Sequence, residues 1–125
     1  MRPPFAPASL ALGAVLALAS LGLLGACASS AAHDPNTPLS PAAQKVEVVR
    51  VAPVKCKKLG SASGQGRDPL EQNADKQATD SAREQTAKLG GDTAHVVTET
   101  TEQEAGSGGT YAHVSKLVDV YKCGQ

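Results

Sequence analysis

Asp68-Pro69-Leu70-Glu71 opens, and Lys88-Leu89-Gly90-Gly91 closes, the stretch whose reading decides the fold. Between them Leu70, Ala74, Ala78, Ala82, Thr86 and Leu89 recur at spacings of four, four, four, four and three. That period predicts one amphipathic helix running to about Leu89. Asp68 can cap it, Pro69 suits its first turn, and Glu71 stands where a capping box places its acid. Gly90-Gly91 is the expected stop. An inner stripe made mostly of alanine lets the helix axis approach a sheet closely. The opposite face carries Glu71, Asp75, Lys76, Asp80, Arg83, Glu84 and Lys88. Asp80 and Glu84 form a carboxylate pair of the kind used in acid–base chemistry, but on a helix exterior such pairs are ordinarily solvated charges.

Toward the C-terminus the period changes from helical to alternating. Thr93 to Thr100 predicts a strand, with Ala94 and Val96 on one face and His95 and Val97 on the other. Thr101 to Gly109 is polar and glycine-rich and is expected to be a hairpin loop. Thr110 to Cys123 predicts a long final strand. Ala112, Val114, Val118 and Val120 share one side of it, and Leu117, Tyr121 and Cys123 share the other. Lys116 interrupts the inner row, which suggests a bulge or an exposed end. If the hairpin pairs in register, His95 and His113 approach each other across the strands. They are the weak candidates for a metal or ligand site, although a zinc site takes three or more protein ligands.

Toward the N-terminus, Gly60 to Arg67 reads as a flexible connection. It lacks the Gly-Lys-Ser/Thr that a phosphate-binding loop requires. Lys45 to Val54 is valine-rich, with a change of phase midway and Pro53 near its end, as in a strand with an irregularity. Val54 to Leu59 reads as a second short strand in which Val54 and Cys56 share a face. Lys55, Lys57 and Lys58 surround Cys56. Such charges either lower a thiol pKa or guard a strand edge, and the absence of a Cys-x-x-Cys dithiol favours the edge.

The first 44 residues predict address rather than fold. Arg2 precedes an apolar run from Leu10 to Leu24 that ends in Leu24-Gly25-Ala26-Cys27. The run is shorter than a spanning helix and has the form of a bacterial lipoprotein signal peptide, residues 1–26, with Cys27 as the lipidated residue. Uncleaved anchoring, or cleavage without lipid, are the competing readings. Two acyl groups on the thioether and one on the amine suffice for stable anchoring. By similarity to enterobacterial sorting, Ala28 after the cysteine favours the outer membrane. Residues 27–44, with Pro35, Pro38 and Pro41, are expected to form a disordered tether that could hold the domain several nanometres from the bilayer, and His33 within it to be solvated. Residues 45–125 would then be the globular part.

Composition agrees with this division. Twelve basic and twelve acidic residues cancel, so no nucleic-acid footprint is expected. After loss of Phe5 with the signal, the aromatics that remain are Tyr111 and Tyr121. A domain this small and this poor in large apolar side chains benefits from a covalent staple. Assigning Cys27 to lipid leaves Cys56 and Cys123 as an even pair in an oxidising compartment, with two buried reduced thiols as the alternative.

A cysteine before Leu59-Gly60, the helix end Ala87-Lys88-Leu89-Gly90-Gly91 running into a valine-rich strand, and the closing Tyr121-Lys122-Cys123 together resemble a known group. The chain is similar, from Val46 to Cys123, to small outer-membrane lipoproteins related to the RcsF-type envelope-stress sensor. The resemblance implies a compact α+β domain, one helix against an antiparallel sheet, with Cys56 bonded to Cys123. It also implies action by presenting a tethered domain to an envelope protein partner. The sensor itself carries two disulfides, whereas this chain can form one after lipidation. The expectation is therefore a non-enzymatic, lipid-anchored protein on the periplasmic face of the outer membrane, needing no cofactor.

Overall fold

The structure, a computed structural model, describes residues 32–124. The expected signal peptide, the lipidation site at Cys27 and the first residues of the tether lie outside the described residues. In chain order the elements are α1 (Pro41–Gln44), β1 (Glu47–Val49), β2 (Lys57–Asp68), α2 (Glu71–Lys88), β3 (Thr93–Gly106) and β4 (Gly109–Lys122). The strands form one sheet in the order β1-β3-β4-β2. β4 pairs antiparallel with both of its neighbours, while β1 runs parallel to β3. One long helix packs on one sheet, as expected of an α+β domain, but the sheet is mixed rather than wholly antiparallel.

α2 ends as its sequence predicts and begins differently. Gly90 adopts φ 80°, and the Gly90 and Gly91 N–H groups donate to the carbonyls of Ala87 and Thr86 at 2.9 and 3.0 Å. At the other end Leu70 is the capping residue and offers no side-chain hydrogen bond. Asp68 acts from two residues earlier, accepting from the Leu70 N–H at 2.9 Å and from Asn73 Nδ2 at 3.2 Å. The stripe Ala74, Ala78, Ala82 and Thr86 is buried as expected, but the terminal Leu70 and Leu89 are exposed.

That stripe lies on β2, whose existence corrects the expected flexible loop over Gly60–Arg67. Gly64 and Gly66 face the helix so closely that a β-carbon on either would collide with the carbonyls of Ala78 and Ala74. These glycines are needed for close approach, not for flexibility. The preceding stretch departs from expectation in the opposite sense. Of Lys45 to Val54 only Glu47–Val49 pairs, and of the short strand expected over Val54–Leu59 the part from Lys57 onward is the start of β2. The chain from Arg50 to Cys56 is irregular. Lys55 turns there with φ 61°.

The inner row of β4 is Ala112, Val114, Lys116, Val118 and Val120, all buried beneath α2. Lys116 marks neither a bulge nor an exposed end. The register shifts fall in its neighbours, between Val96 and Thr98 and between Lys58 and Gly60. Its side chain is 4% exposed, and its ammonium meets Asp75 of α2 at 2.7 Å and Glu99 of β3 at 3.3 Å. The buried charge divides the apolar core into two clusters. Val46, Ala82, Ala94, Val118 and Val120 form one, and Ala74, Ala78, Ala112 and Val114 the other.

The β3–β4 hairpin is longer than expected. Strand pairing continues through the predicted loop to Gly106↔Gly109, so the turn is just Ser107-Gly108. The tether also stops sooner. Ser40 accepts from the Ala43 N–H at 3.2 Å and starts α1, whose Ala43 is fully buried. The Ser40 N–H and hydroxyl both donate to Glu84 of α2, at 2.6 and 3.0 Å. Glu84 is thus a docking point for the N-terminal segment rather than a free surface carboxylate. Asp80, expected on the solvated face, is buried and accepts from Lys76 Nζ at 2.6 Å.

Candidate functional site

The chemistry-bearing side chains gather at one end of the sheet, where β2 begins and β4 finishes. Cys56 and Cys123 are bonded there, closing a loop with a sequence separation of 67. Asp92, in the short turn between α2 and β3, fastens the same end. Its carboxylate accepts from the backbone N–H groups of Cys123 and Gly124 at 2.8 and 2.6 Å. It also accepts from the Thr93 hydroxyl at 3.0 Å and lies 3.4 Å from Lys122 Nζ. The Cys123 N–H contributes most to holding its pKa down at about 2, helped by Gly124, Thr93 and Lys122 and opposed by partial burial. The Asp92 backbone completes the clamp, donating to the Tyr121 carbonyl at 3.0 Å and accepting from Glu47 N–H at 2.9 Å.

On the sheet face away from α2, one row crosses four strands. Val49 stands opposite His95, His95 opposite Asp119, and Asp119 opposite Ser61. Asp119 accepts from the Ser61 hydroxyl at 2.9 Å and pairs with Lys58 at 3.0 Å. Lys58 is the main cause of its lowered pKa, with Ser61 and His95 adding to it. Serine, aspartate and histidine therefore share a row, but in the wrong order for nucleophilic catalysis. A serine is activated when the imidazole takes its proton. Here the carboxylate stands between them, and Ser61 donates to Asp119 instead. His95 keeps a buried Nδ1 without a hydrogen-bond partner.

His113 is elsewhere. It pairs across β3 with Glu102, its Nε2 lies 3.1 Å from Gln65 Oε1, and its Nδ1 lies 3.9 Å from Glu104. Since His95 stands opposite Asp119, six residues along β4 from His113, the two imidazoles are separated by roughly 20 Å of strand. The expected approach of His95 and His113 is thereby corrected, and they cannot share an ion. Among the described residues no three His, Cys, Asp or Glu side chains are grouped to hold a metal.

Two further places have polar linings. Near the hairpin, Arg67 bonds Glu104 at 3.0 Å and stacks over Tyr111 at 4.1 Å from the ring centre. Along α2, an open cleft of about 410 Å³ is flanked by His33, Ser40, Ser81, Glu84 and Lys88. His33 is half-buried there rather than fully solvated, with Nε2 at 2.8 Å from the Thr37 carbonyl oxygen. Several of its polar groups already engage each other, Ser40 with Glu84 and His33 with Thr37. The Asp92 clamp escaped the sequence reading, because an aspartate after Gly-Gly looks like ordinary turn chemistry. No helix among the described residues is long and apolar enough to cross a membrane.

Comparison with curated proteins gives no match. Residues 37–123, which begin in the N-terminal segment docked on α2 and finish at the disulfide, match a protein family in one continuous span. The chain belongs to that family, described as Domain of unknown function (DUF4156).

Proposed function

We propose that this chain is a lipid-anchored protein of the bacterial cell envelope. In this reading Cys27 is acylated, the domain faces the periplasm from the outer membrane, and it acts by contact with an envelope protein, as sensor or scaffold, without catalysing a reaction. The observation that carries the reading is the pairing of the cysteines. The chain has three, and Cys56 is bonded to Cys123. Cys27, at the end of the apolar run, has no intrachain cysteine left to pair with. A disulfide also fits an oxidising compartment beyond the cytoplasm. The likeness to outer-membrane lipoproteins, and Ala28 in the sorting position, point the same way. The Ser61, Asp119 and His95 row, which lacks the order a nucleophile needs, is consistent with a non-enzymatic role.

Intact-mass measurement of the protein extracted from its native membrane, before and after reduction, tests this directly. The expected species lacks residues 1–26, carries the mass of acyl chains, and gains two hydrogens on reduction. A chain that retains Met1, or an unmodified thiol at residue 27, would defeat the proposal. Crosslinking in cells addresses the second half of the reading. Reproducible capture of an envelope protein is expected, and recovery of monomer alone counts against a contact role.

A further inference from the structure

The chain is neutral overall, but its charges are not evenly placed. Arg50 to Lys58 contains four cations and no acid, whereas the distal half of β3 brings Glu102 and Glu104 toward the hairpin. Lys55 to Lys58 sit at the disulfide end, because Cys56 is bonded to Cys123, while Arg50 follows β1 alongside β3 and reaches Glu99. Within this basic segment Val51 and Val54 are 80% and 82% exposed. They exceed every other large apolar side chain among the described residues, and folding has left them in water. Arg50 and Lys58 are paired with Glu99 and Asp119, each at 3.0 Å. The side chains of Lys55 and Lys57 have no hydrogen bond or ion pair among the described residues.

Position adds a third observation. Ala32 and Lys88 line the same cleft beside the last turns of α2, and α2 finishes at the disulfide end, where Asp92 grips Cys123 and Gly124. Cys27 lies five residues before Ala32. Whatever their path, five residues reach no further than about 18 Å. If Cys27 is acylated, the bilayer surface therefore lies within about 18 Å of Ala32, beside the C-terminal half of α2.

We propose that the segment Arg50–Lys58 is a membrane-docking loop, with Val51 and Val54 entering the headgroup region of the bilayer and Lys55 and Lys57 meeting anionic phospholipid. The orientation rests on the lipid-anchor reading above, whereas the loop's affinity for anionic lipid does not. An exposed apolar tip flanked by unpaired ammonium groups suits an anionic lipid surface, which offers hydrocarbon and phosphate side by side. An acidic protein surface would satisfy the lysines but leave less reason for two fully exposed valines.

The chain contains no tryptophan, so Val54→Trp supplies a single reporter, and Thr101→Trp on the distal half of β3 supplies its control. The native acylated protein is reconstituted in vesicles of phosphatidylethanolamine and phosphatidylglycerol that include brominated lipid. Strong quenching at residue 54 and little at residue 101 is expected, and equal quenching at both would overturn the docked orientation. The second arm uses a chain beginning at Ala28, which has no acylation site and retains every element and contact described. It should sediment with phosphatidylglycerol vesicles and not with phosphatidylcholine vesicles. Lys55→Glu with Lys57→Glu should weaken that binding by about tenfold or more, and 0.5 M salt should weaken it similarly. Failure to bind phosphatidylglycerol, or binding indifferent to the two lysines, overturns the docking loop. Failure of acylation alone would overturn only the anchor. Binding of that chain to an acidic protein in preference to the vesicles would overturn the lipid assignment.

Discussion

The two apolar clusters beneath α2 are separated by one lysine and held by different means. Toward the disulfide end the packing groups are Val46, Val118 and Val120 with Ala82 and Ala94. Toward the hairpin end they are Ala74, Ala78 and Ala112 with the single larger Val114. The first cluster has more apolar volume and the covalent and polar clamps besides. The second has little volume and relies on closeness, with Gly64 and Gly66 letting the helix backbone settle onto β2. Where side chains are small, attraction must come from many atoms at short range. Where they are larger, each side chain buries more apolar surface, and the clamps add to it.

Removing the staple should give the largest effect. Cys56→Ser with Cys123→Ser releases a loop with a sequence separation of 67, which costs about 4 kcal/mol in the chain-entropy account. Urea denaturation of the two proteins should show that loss. Hydrogen exchange should show it first in β1 and in the last residues of β4, where the first cluster depends on the clamp. Next in size, Gly66→Ala places a β-carbon against the Ala74 carbonyl. The helix must lift, at a cost of about 3 kcal/mol. Ser63→Ala, on the same strand but the opposite face, should change stability by less than about 0.5 kcal/mol. If the two substitutions were equally mild, the second cluster would not depend on close approach.

Acid should also separate the ends. The Asp92 carboxyl has its pKa lowered from 3.8 to about 2 in the folded chain. A group with a depressed folded pKa contributes stability above its unfolded value and loses it as the pH falls through the folded one. Stability should thus be flat above about pH 5 and decline between roughly pH 4 and pH 2, by about 2 kcal/mol from Asp92. Asp119, lowered as well, adds to the same limb. Asp92→Asn should flatten it. Both carboxylates belong to the disulfide end, so the hairpin end should keep its exchange protection longer on acidification.

What the sequence made legible was whatever depends on local period or on parity. The helix shows in the four-residue recurrence of Ala74, Ala78 and Ala82, its stop in Gly90-Gly91, and the staple in the two cysteines left after Cys27. β2 was hidden because glycine has two physical uses, and neighbours in sequence do not reveal which applies. Only the helix lying over Gly64 and Gly66 shows that they serve close approach. The distal half of β3 was hidden because strands with water on both faces lose their alternation, as the run from Thr98 to Glu104 does. The histidine juxtaposition failed over the turn. A hairpin centred on Glu104 would have set His95 against His113, but the turn is Ser107-Gly108, and register follows the turn. Asp92 was missed because its partners are backbone N–H groups at the far end of the chain, which sequence proximity does not signal.

Lys116 remains the least legible residue, and it offers the finest test of the division. Its ammonium is buried while its partners are not, with Asp75 46% and Glu99 31% exposed at their side chains. An ion pair of this kind gains little, since the carboxylates give up part of their hydration and the lysine nearly all of its own. Lys116→Met keeps the apolar stem, removes the buried charge, returns Asp75 to water and leaves Glu99 with Arg50. It should join the two clusters into one at a net change within about 1 kcal/mol in either direction. Asp75→Ala with Glu99→Ala makes the opposite change, leaving the ammonium buried without a carboxylate, and should be clearly worse than the methionine variant. A methionine variant that unfolds more cooperatively, with hairpin and disulfide ends exchanging together, would show that the lysine is what keeps the clusters apart. One that loses several kcal/mol would show instead that the ion pairs tie α2 to β3, and that the clusters are separate for that reason.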